Sequence, residues 1–413
     1  HTALIVASPC PSALRATMAA AGMSQLAKMR KELLLGFKDL QGLLQVVDKY
    51  EVVDEAAADC SGADKQPGLR EEVKALQPGT HEALWQKVLE VAGEYLKEPP
   101  QPGSEEAEAS ESARALHAVA VLLDVFVDEA LDASRDPALP PSFLEAASQC
   151  QEILLTIPNE KTQAYIAKAL EKICTSNFEG REDFYGGVLM HLIGKCIGPK
   201  VTYADVDRLY KVRTLLGELD WDHESIESLK MQLMRCTLSP RFIKSPHGPE
   251  LLGLFYCLHP GFTAEVHNTV KNQILFSQPA TMKAYSVGLF RGWKMSEAGT
   301  RVQVEACVQE WVLLAVRSAR KTADRARAML EECYRHRHEE ALNEVLCRIH
   351  GPILWRSLKV ANAQVRENAA RLLQYVFPLI PNELGVADKE QESAKQMRLL
   401  RETLEDPGEP VRR

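Results

Sequence analysis

Apolar residues recur at spacings of three and four through most of the chain, the period of amphipathic helices. No run shows the alternation of β-branched residues that marks a strand. The pattern is clearest at 351–381, GPILWRSLKVANAQVRENAARLLQYVFPLIP. Leu354 and Leu358 share one helical face, and Ala361-Asn362-Ala363 predicts a tight corner. Val365, Ala369, Leu372 and Val376 then mark a second helix, which Pro378 and Pro381 end. Pro352 suits the first turn of the first helix, where its missing N–H costs nothing. This hairpin is expected to bury Leu358, Val365, Ala369, Leu372 and Val376 and to expose Glu367, Arg371 and Gln374.

A hairpin with one apolar side cannot bury that side alone, and here the pattern starts again. Leu400, Leu404, Val411 and Arg412 repeat Leu354, Leu358, Val365 and Arg366 at a constant offset. That offset lies within the period of about 40–47 residues typical of HEAT-type helical repeats. The second turn carries Asp406 where the first has Asn362. Arg366 and Arg412 each follow the inward valine and read as structural, holding turns across a stack. The chain ends at Arg413 as the second helix of this repeat begins, so the expectation is an N-terminal piece of a longer solenoid.

Upstream, Leu26, Leu33, Leu40 and Val47 recur every seven residues and predict one helix over 24–47. Gly36 and Gly42 inside it weaken a coiled-coil seam, and a terminal helix packed on its neighbours fits better. Residues 51–69 read as a loop. Thr80 is placed as the cap of a helix carrying Leu84, Trp85, Val88, Ala92 and Tyr95. Glu98 to Ser112, EPPQPGSEEAEASES, has three prolines and five glutamates and no aromatic residue, which is the composition of a solvated linker. Helices are expected near 113–134, 141–157, 160–176, 182–197, 203–217 and 223–236, with Asp222 capping the last. A proline-rich loop over 237–249 separates them from helices near 250–258, 262–277, 280–294, 300–318, 321–335 and 338–349. Many helices of similar length with short connections define an all-α, HEAT-repeat α-solenoid. The expected divisions are 1–22 (disordered, or upstream of a true start at Met18 or Met23), 23–97 as an N-terminal helical region, 98–112 as an acidic disordered linker, and 113–413 as the repeat array, truncated at its C-terminal end.

Composition sharpens this picture in two places. The net charge of -8 is unevenly spread. Residues 1–180 hold 28 acidic and 16 basic side chains, and residues 181–413 hold 29 acidic and 33 basic, so a polyanion would meet the C-terminal half. The 10 cysteines lack paired spacing and sit beside Leu and Ile, as free buried thiols do in a reducing compartment. The apolar run Val119 to Val127 is broken by Asp124 and is too short to span a bilayer.

The sequence contains no catalytic motif and no cofactor site. Gly187 to Lys195, GVLMHLIGK, has six residues between its glycines and no Ser or Thr after the lysine, so it is not a phosphate loop. Cys333, His336 and His338 make a poor metal set, because on a helix His336 and His338 point to different sides and no second ligand pair lies nearby. The polar feature that stands out is Arg317 to Arg337, with seven Arg or Lys against three acids. Arg317, Lys321 and Arg325 are spaced to line one side, with Arg320 and Arg327 near them. Such a stripe neutralises phosphates without reading bases, or is a solvated face with Asp324–Arg327 pairing; the sequence leaves both open. Ser239-Pro240 and Ser245-Pro246 are minimal proline-directed phosphorylation sites, and plain turn chemistry serves them equally.

ILWRSLKVANAQVRENAARLL resembles the G-type HEAT-repeat subunit of the condensin II complex. RKELLLGF, HEALWQKVLEVA, HNTVKNQILFSQ and LFRGWKMSEAG are similar to the same family and follow in the same order, from about Met18 onward. The resemblance implies a non-enzymatic nuclear, chromosome-bound scaffold for mitotic chromosome condensation, without cofactor or membrane. Its implied partners are a kleisin subunit, through it the heads of the structural-maintenance-of-chromosomes ATPases and a second HEAT subunit, and double-stranded DNA. It transfers no role to any single residue. The residue pattern alone fits equally a HEAT scaffold or transport receptor that binds protein and no DNA.

Overall fold

The structure, a computed structural model, describes residues 25–37, 39–50, 67–76, 78–97, 110–132 and 139–412. Among the described residues there are helices and turns and no strand, as the periodicity required. Segment 1–22 and most of the expected loop at 51–69 and linker at 98–112 lie outside the described residues. The chain divides into two compact units, 1–191 and 192–413.

The first unit opens with α1 over 25–36 and α2, Leu40–Lys49, instead of one helix over 24–47. The two glycines explain the break. A Cβ on Gly36 would lie 3.3 Å from the carbonyl carbon of Gly42, a tight contact that a larger residue could make only if the neighbouring backbone gave way slightly. Asp39 then caps α2 by accepting from the Gln41 N–H. Next come α3, Pro67–Lys74, and α4, Pro78–Lys97, with Thr80 inside the first turn of α4 and not before it. They are followed by α5, Glu111–Ala130, α6, Phe143–Leu154, α7, Glu160–Thr175, and α8, Tyr185–Ile197. Helix α5 is apolar on almost every side and is buried accordingly, with α2, α3, α4 and α7 packed on it. Asp124 interrupts its apolar run. Burying that carboxylate alone would cost several kcal/mol. The equally buried Arg30 meets it, with Nη2 3.2 Å from Oδ1, and also donates from Nε to the Val121 carbonyl.

The second unit contains α9, Tyr203–Lys211, α10, Thr214–Gly217, α11, Glu227–Leu238, and α12, Pro240–Ile243. Then come α13, Gly248–Leu258, α14, Pro260–Gln273, α15, Pro279–Met295, α16, Ala298–Arg317, and α17, Arg320–Arg335. The last four are α18, Glu340–Ser357, α19, Ala363–Val376, α20, Val386–Leu404, and α21, Glu409–Arg412. Helices α11, α14, α16, α19 and α21 follow one another in one row, and α13, α15 and α17 in another. This two-row stacking is what a helical repeat array builds, each hairpin burying its apolar side against the next. The tightest approach is α13 on α15. A Cβ on Gly288 would lie 2.5 Å from Leu252 Cδ2, and one on Gly292 2.7 Å from Tyr256 Cβ. Glycines four apart on α15 thus let the two backbones approach.

Several local expectations need correction. The stretch 237–249 is not all loop: α11 runs to Leu238, and Pro240 opens the short α12 with Ser239 as its cap. Asp222 caps nothing; a 3-10 turn at Glu224–Ile226 leads into α11, and His223 accepts from the Ser225 N–H. Pro352 does not start a helix but lies inside α18, which runs unbroken from Glu340 to Ser357 and joins most of the expected 338–349 helix to the first arm of the hairpin. Leu358, Ala369, Leu372 and Val376 are buried and Gln374 is exposed, as expected. Val365 and Arg371 are half-buried, and Glu367 is buried, held by Arg371 Nη2 at 2.8 Å.

Candidate nucleic-acid interface

The corner between α16 and α17 carries the basic residues singled out in the sequence. Helix α16 ends at Arg317, and Ser318 and Ala319 are extended before α17 begins at Arg320. The even spacing of Arg317, Lys321 and Arg325 therefore does not lie on one helix. Lys321 and Arg325 share a face of α17, and Arg317 is the last residue of α16, separated from α17 by Ser318 and Ala319. The corner is fixed from below by Asn368 of α19, which is fully buried. Its Nδ2 donates to the carbonyls of Val316 (3.1 Å) and Ser318 (2.9 Å). Two of the carbonyls that a helix C-terminus leaves open are satisfied there by a side chain from another hairpin.

The five basic side chains separate into three kinds. Arg317 and Lys321 are exposed and Arg325 is half-buried. None has a carboxylate of the described residues within 4.0 Å. Arg320 is exposed and stands 3.9 Å from Glu367 Oε1, the outer limit of an ion pair. Arg327 does not belong with them. It is 8% exposed, is ion-paired with Asp324, and leaves Nη1 without a hydrogen-bond partner. Burial, and after it the neighbouring Arg371, push its guanidinium pKa below the ordinary arginine value. The spacing on α17 explains the split: two residues beyond Arg325, Arg327 falls on the buried face of the helix with Ala323, Ala326 and Leu330.

The N-terminus of α17 adds to the positive field. Its first turn holds Arg320 and Lys321 and no acid, and Ala319 supplies no side-chain cap. Cations there oppose the helix dipole, and the first N–H groups point outward, so the corner favours an anion. It can hold phosphate oxygens by charge and by N–H donors, and the stripe from Arg317 to Arg327 contains no aromatic side chain for stacking on bases.

The remaining polar features serve structure. Arg366 grips Asp406 with two bonds, Nε to Oδ2 at 2.8 Å and Nη2 to Oδ1 at 3.0 Å, and donates from Nη1 to the Val360 and Ala361 carbonyls. Arg412 reaches the Asp406 carbonyl. Arg366 ties its own turn to the next one, the structural role read from its place after the valine, whereas Arg412 is seen holding only its own turn. The Arg366 guanidinium lowers the Asp406 pKa. Cys333, His336 and His338 are not brought together. Cys333 is buried, its thiol pushed up to about 12, while His336 stacks on Phe290 and His338 is exposed. No metal-binding group of His, Cys, Asp and Glu exists among the described residues. GVLMHLIGK is helix, within α8. Ser239 spends its hydroxyl on the Phe242 N–H, and Ser245 is buried with its hydroxyl on the Phe242 carbonyl. The sequence pattern gave no sign of His350, wholly buried between the Tyr334 hydroxyl and the Leu346 carbonyl, where burial lowers its pKa to about 4. A lone histidine among apolar residues carries no signal of that role.

Two rows of stacked hairpins tied by an Arg–Asp pair define a helical-repeat protein of the HEAT type. Residues 235–381 match the family described as the condensin II non structural maintenance of chromosomes subunit. The chain is 26% identical over 361 residues to condensin-2 complex subunit G2 of Xenopus laevis, across 83% of this chain and 31% of that protein. The same subunit from Homo sapiens is 26% identical over 366 residues, across 83% of this chain and 31% of that protein. The Mus musculus subunit is 24% identical over 361 residues, across 83% and 32%. The resemblance to the G-type condensin II subunit is thereby shown, and the chain spans about a third of the length of these relatives. Against the crystal structure of an engineered protein the TM-score is 0.26 at 14% identity, over 90% of this chain and 96% of that one, and carries no argument.

Proposed function

We propose that this chain is part of a non-enzymatic regulatory subunit of a condensin II complex, acting on chromosomes in the nucleus during mitotic condensation. In this reading it binds a kleisin subunit and, through it, the ATPase heads and the second HEAT subunit. It grips double-stranded DNA by its phosphates. The observation that carries the DNA part is the corner of Arg317, Lys321 and Arg325, three basic side chains without an acidic partner among the described residues, inside the matched stretch 235–381. Binding by such residues is sequence-independent and salt-sensitive. The complex is tested by pull-down of the full-length subunit with mass spectrometry. Recovery of a kleisin and two ATPase subunits is the expected outcome. Recovery of transport or phosphatase components instead, with none of these, contradicts the proposal.

A further inference from the structure

A second basic feature lies away from the α16–α17 corner. A cleft of about 590 Å³ opens between the C-terminal half of α18 and α20. Trp355, Arg356 and Lys359 line it from α18 and the turn after it, and Lys395, Arg398 and Leu399 from α20. All four cations are exposed, while Trp355 and Leu399 are half-buried. Glu402 is the one acid in the lining. Lys395 already holds Glu392 at 3.1 Å. Arg356, Lys359 and Arg398 have no carboxylate of the described residues within 4.0 Å.

The charge and the apolar surface together choose the ligand. Four cations around one cleft call for several anionic groups, and two arginines favour carboxylates or phosphates that accept two bonds at once. The volume is that of a ligand cleft, enough for a few residues of extended chain and too small to enclose a duplex. Trp355 and Leu399 offer an apolar surface that a phosphate backbone cannot use, whereas a peptide side chain can. We propose that this cleft binds an acidic peptide segment of a protein partner, with one apolar side chain seated on Trp355 among flanking carboxylates. The inference stands apart from the DNA reading, since it uses none of the residues at the α16–α17 corner.

The probe is a fluorescein-labelled peptide of about eight residues, glutamates and aspartates around one central phenylalanine, a length that suits an extended segment in a cleft. Its binding to the 413-residue chain is followed by anisotropy at low salt. The proposal expects saturable binding, weakened at least ~10-fold in the double variant Arg356→Glu, Arg398→Glu, as when charges facing a partner are reversed. Replacing the phenylalanine by serine should weaken binding about fivefold or more, as should Trp355→Ala. If Trp355→Ala is misfolded by circular dichroism, the phenylalanine-to-serine peptide makes the same test on intact protein. Binding that survives the double charge reversal unchanged, or absence of binding with the protein raised to about 100 μM, overturns the proposal. So does a duplex of about 20 base pairs that binds through Arg356 and Arg398 and is not displaced by the peptide; the cleft then meets DNA. Loss of DNA binding on reversing Arg317, Lys321 and Arg325 leaves the peptide result untouched, so the two readings fail separately.

Discussion

Replacing Asn368 by Asp changes one atom's chemistry at the point where one hairpin holds the end of another. The wild-type amide donates two bonds, at 3.1 and 2.9 Å, to the Val316 and Ser318 carbonyls, and accepts one from Gln364 Nε2 at 3.2 Å. The side chain is fully buried. An aspartate of the same shape leaves no cavity, but once ionised it turns a lone pair toward two carbonyl oxygens. Losing the two donors leaves acceptors unsatisfied, which costs about 1–3 kcal/mol for a buried group; Asn368→Ala should show this cost with a cavity term added, and without the pH dependence. The carboxylate adds a pH-dependent cost. Burial and the two carbonyls raise its folded pKa above the unfolded value of about 3.9, and each unit of rise costs about 1.4 kcal/mol at neutral pH. A rise of about two units therefore adds about 3 kcal/mol. The sign follows: the folded state holds the proton longer, so destabilisation grows as pH rises from the unfolded pKa through the folded one and is then constant. Hydrogen exchange of peptides covering 312–320 and 363–376 is the assay, comparing variants at equal pH so that intrinsic rates cancel. If Asn368→Asp matches wild type at about pH 8, or its deficit is the same at about pH 4 and pH 8, the amide does not hold this corner and the reasoning fails.

Three further outcomes follow from the same structure. Leu372→Ala, at a fully buried site, should cost about 2–5 kcal/mol by lost transfer energy and a cavity, with lost exchange protection confined to the neighbouring repeats; uniform loss along the chain contradicts this. His350 has its folded pKa lowered to about 4 by burial, so the unfolded chain takes its proton first. Stability of the α17–α18 hairpin should therefore be fully present above about pH 6.5, fall as pH drops toward about 4, and lose that slope in His350→Phe. Arg366→Ala should speed exchange at both 358–366 and 406–412, because one guanidinium serves both turns; an effect on one turn only would refute the shared role.

Helical periodicity made most of the fold legible, because each amphipathic segment must bury one face and the stacking of hairpins is the remaining solution. The Arg366 role was legible too, since the repeat places an arginine after the inward valine in both hairpins. Helix ends were not. Gly36 and Gly42 read as weak points of a seam, yet they let two helices touch. Pro352 read as a start because a proline is tolerated there, while the apolar face of α18 continues through it. At the basic corner, residue type and spacing identified the charges but not their partners. Arg327 differs from Arg325 in falling on the buried face of α17, and Glu367 was assigned to solvent because no one-dimensional pattern shows that Arg371 holds it in the interior.

If the corner of Arg317, Lys321 and Arg325 grips duplex DNA by its phosphates, the salt dependence of binding must report it. Duplex binding is measured over a range of salt for the wild-type chain and for a variant with these three residues changed to Glu, on two unrelated sequences. The expected result is weaker binding to both duplexes by the same factor and a log–log salt slope shallower by about three, roughly one for each phosphate no longer neutralised. An unchanged affinity and an unchanged slope in the triple variant would contradict DNA binding at this corner.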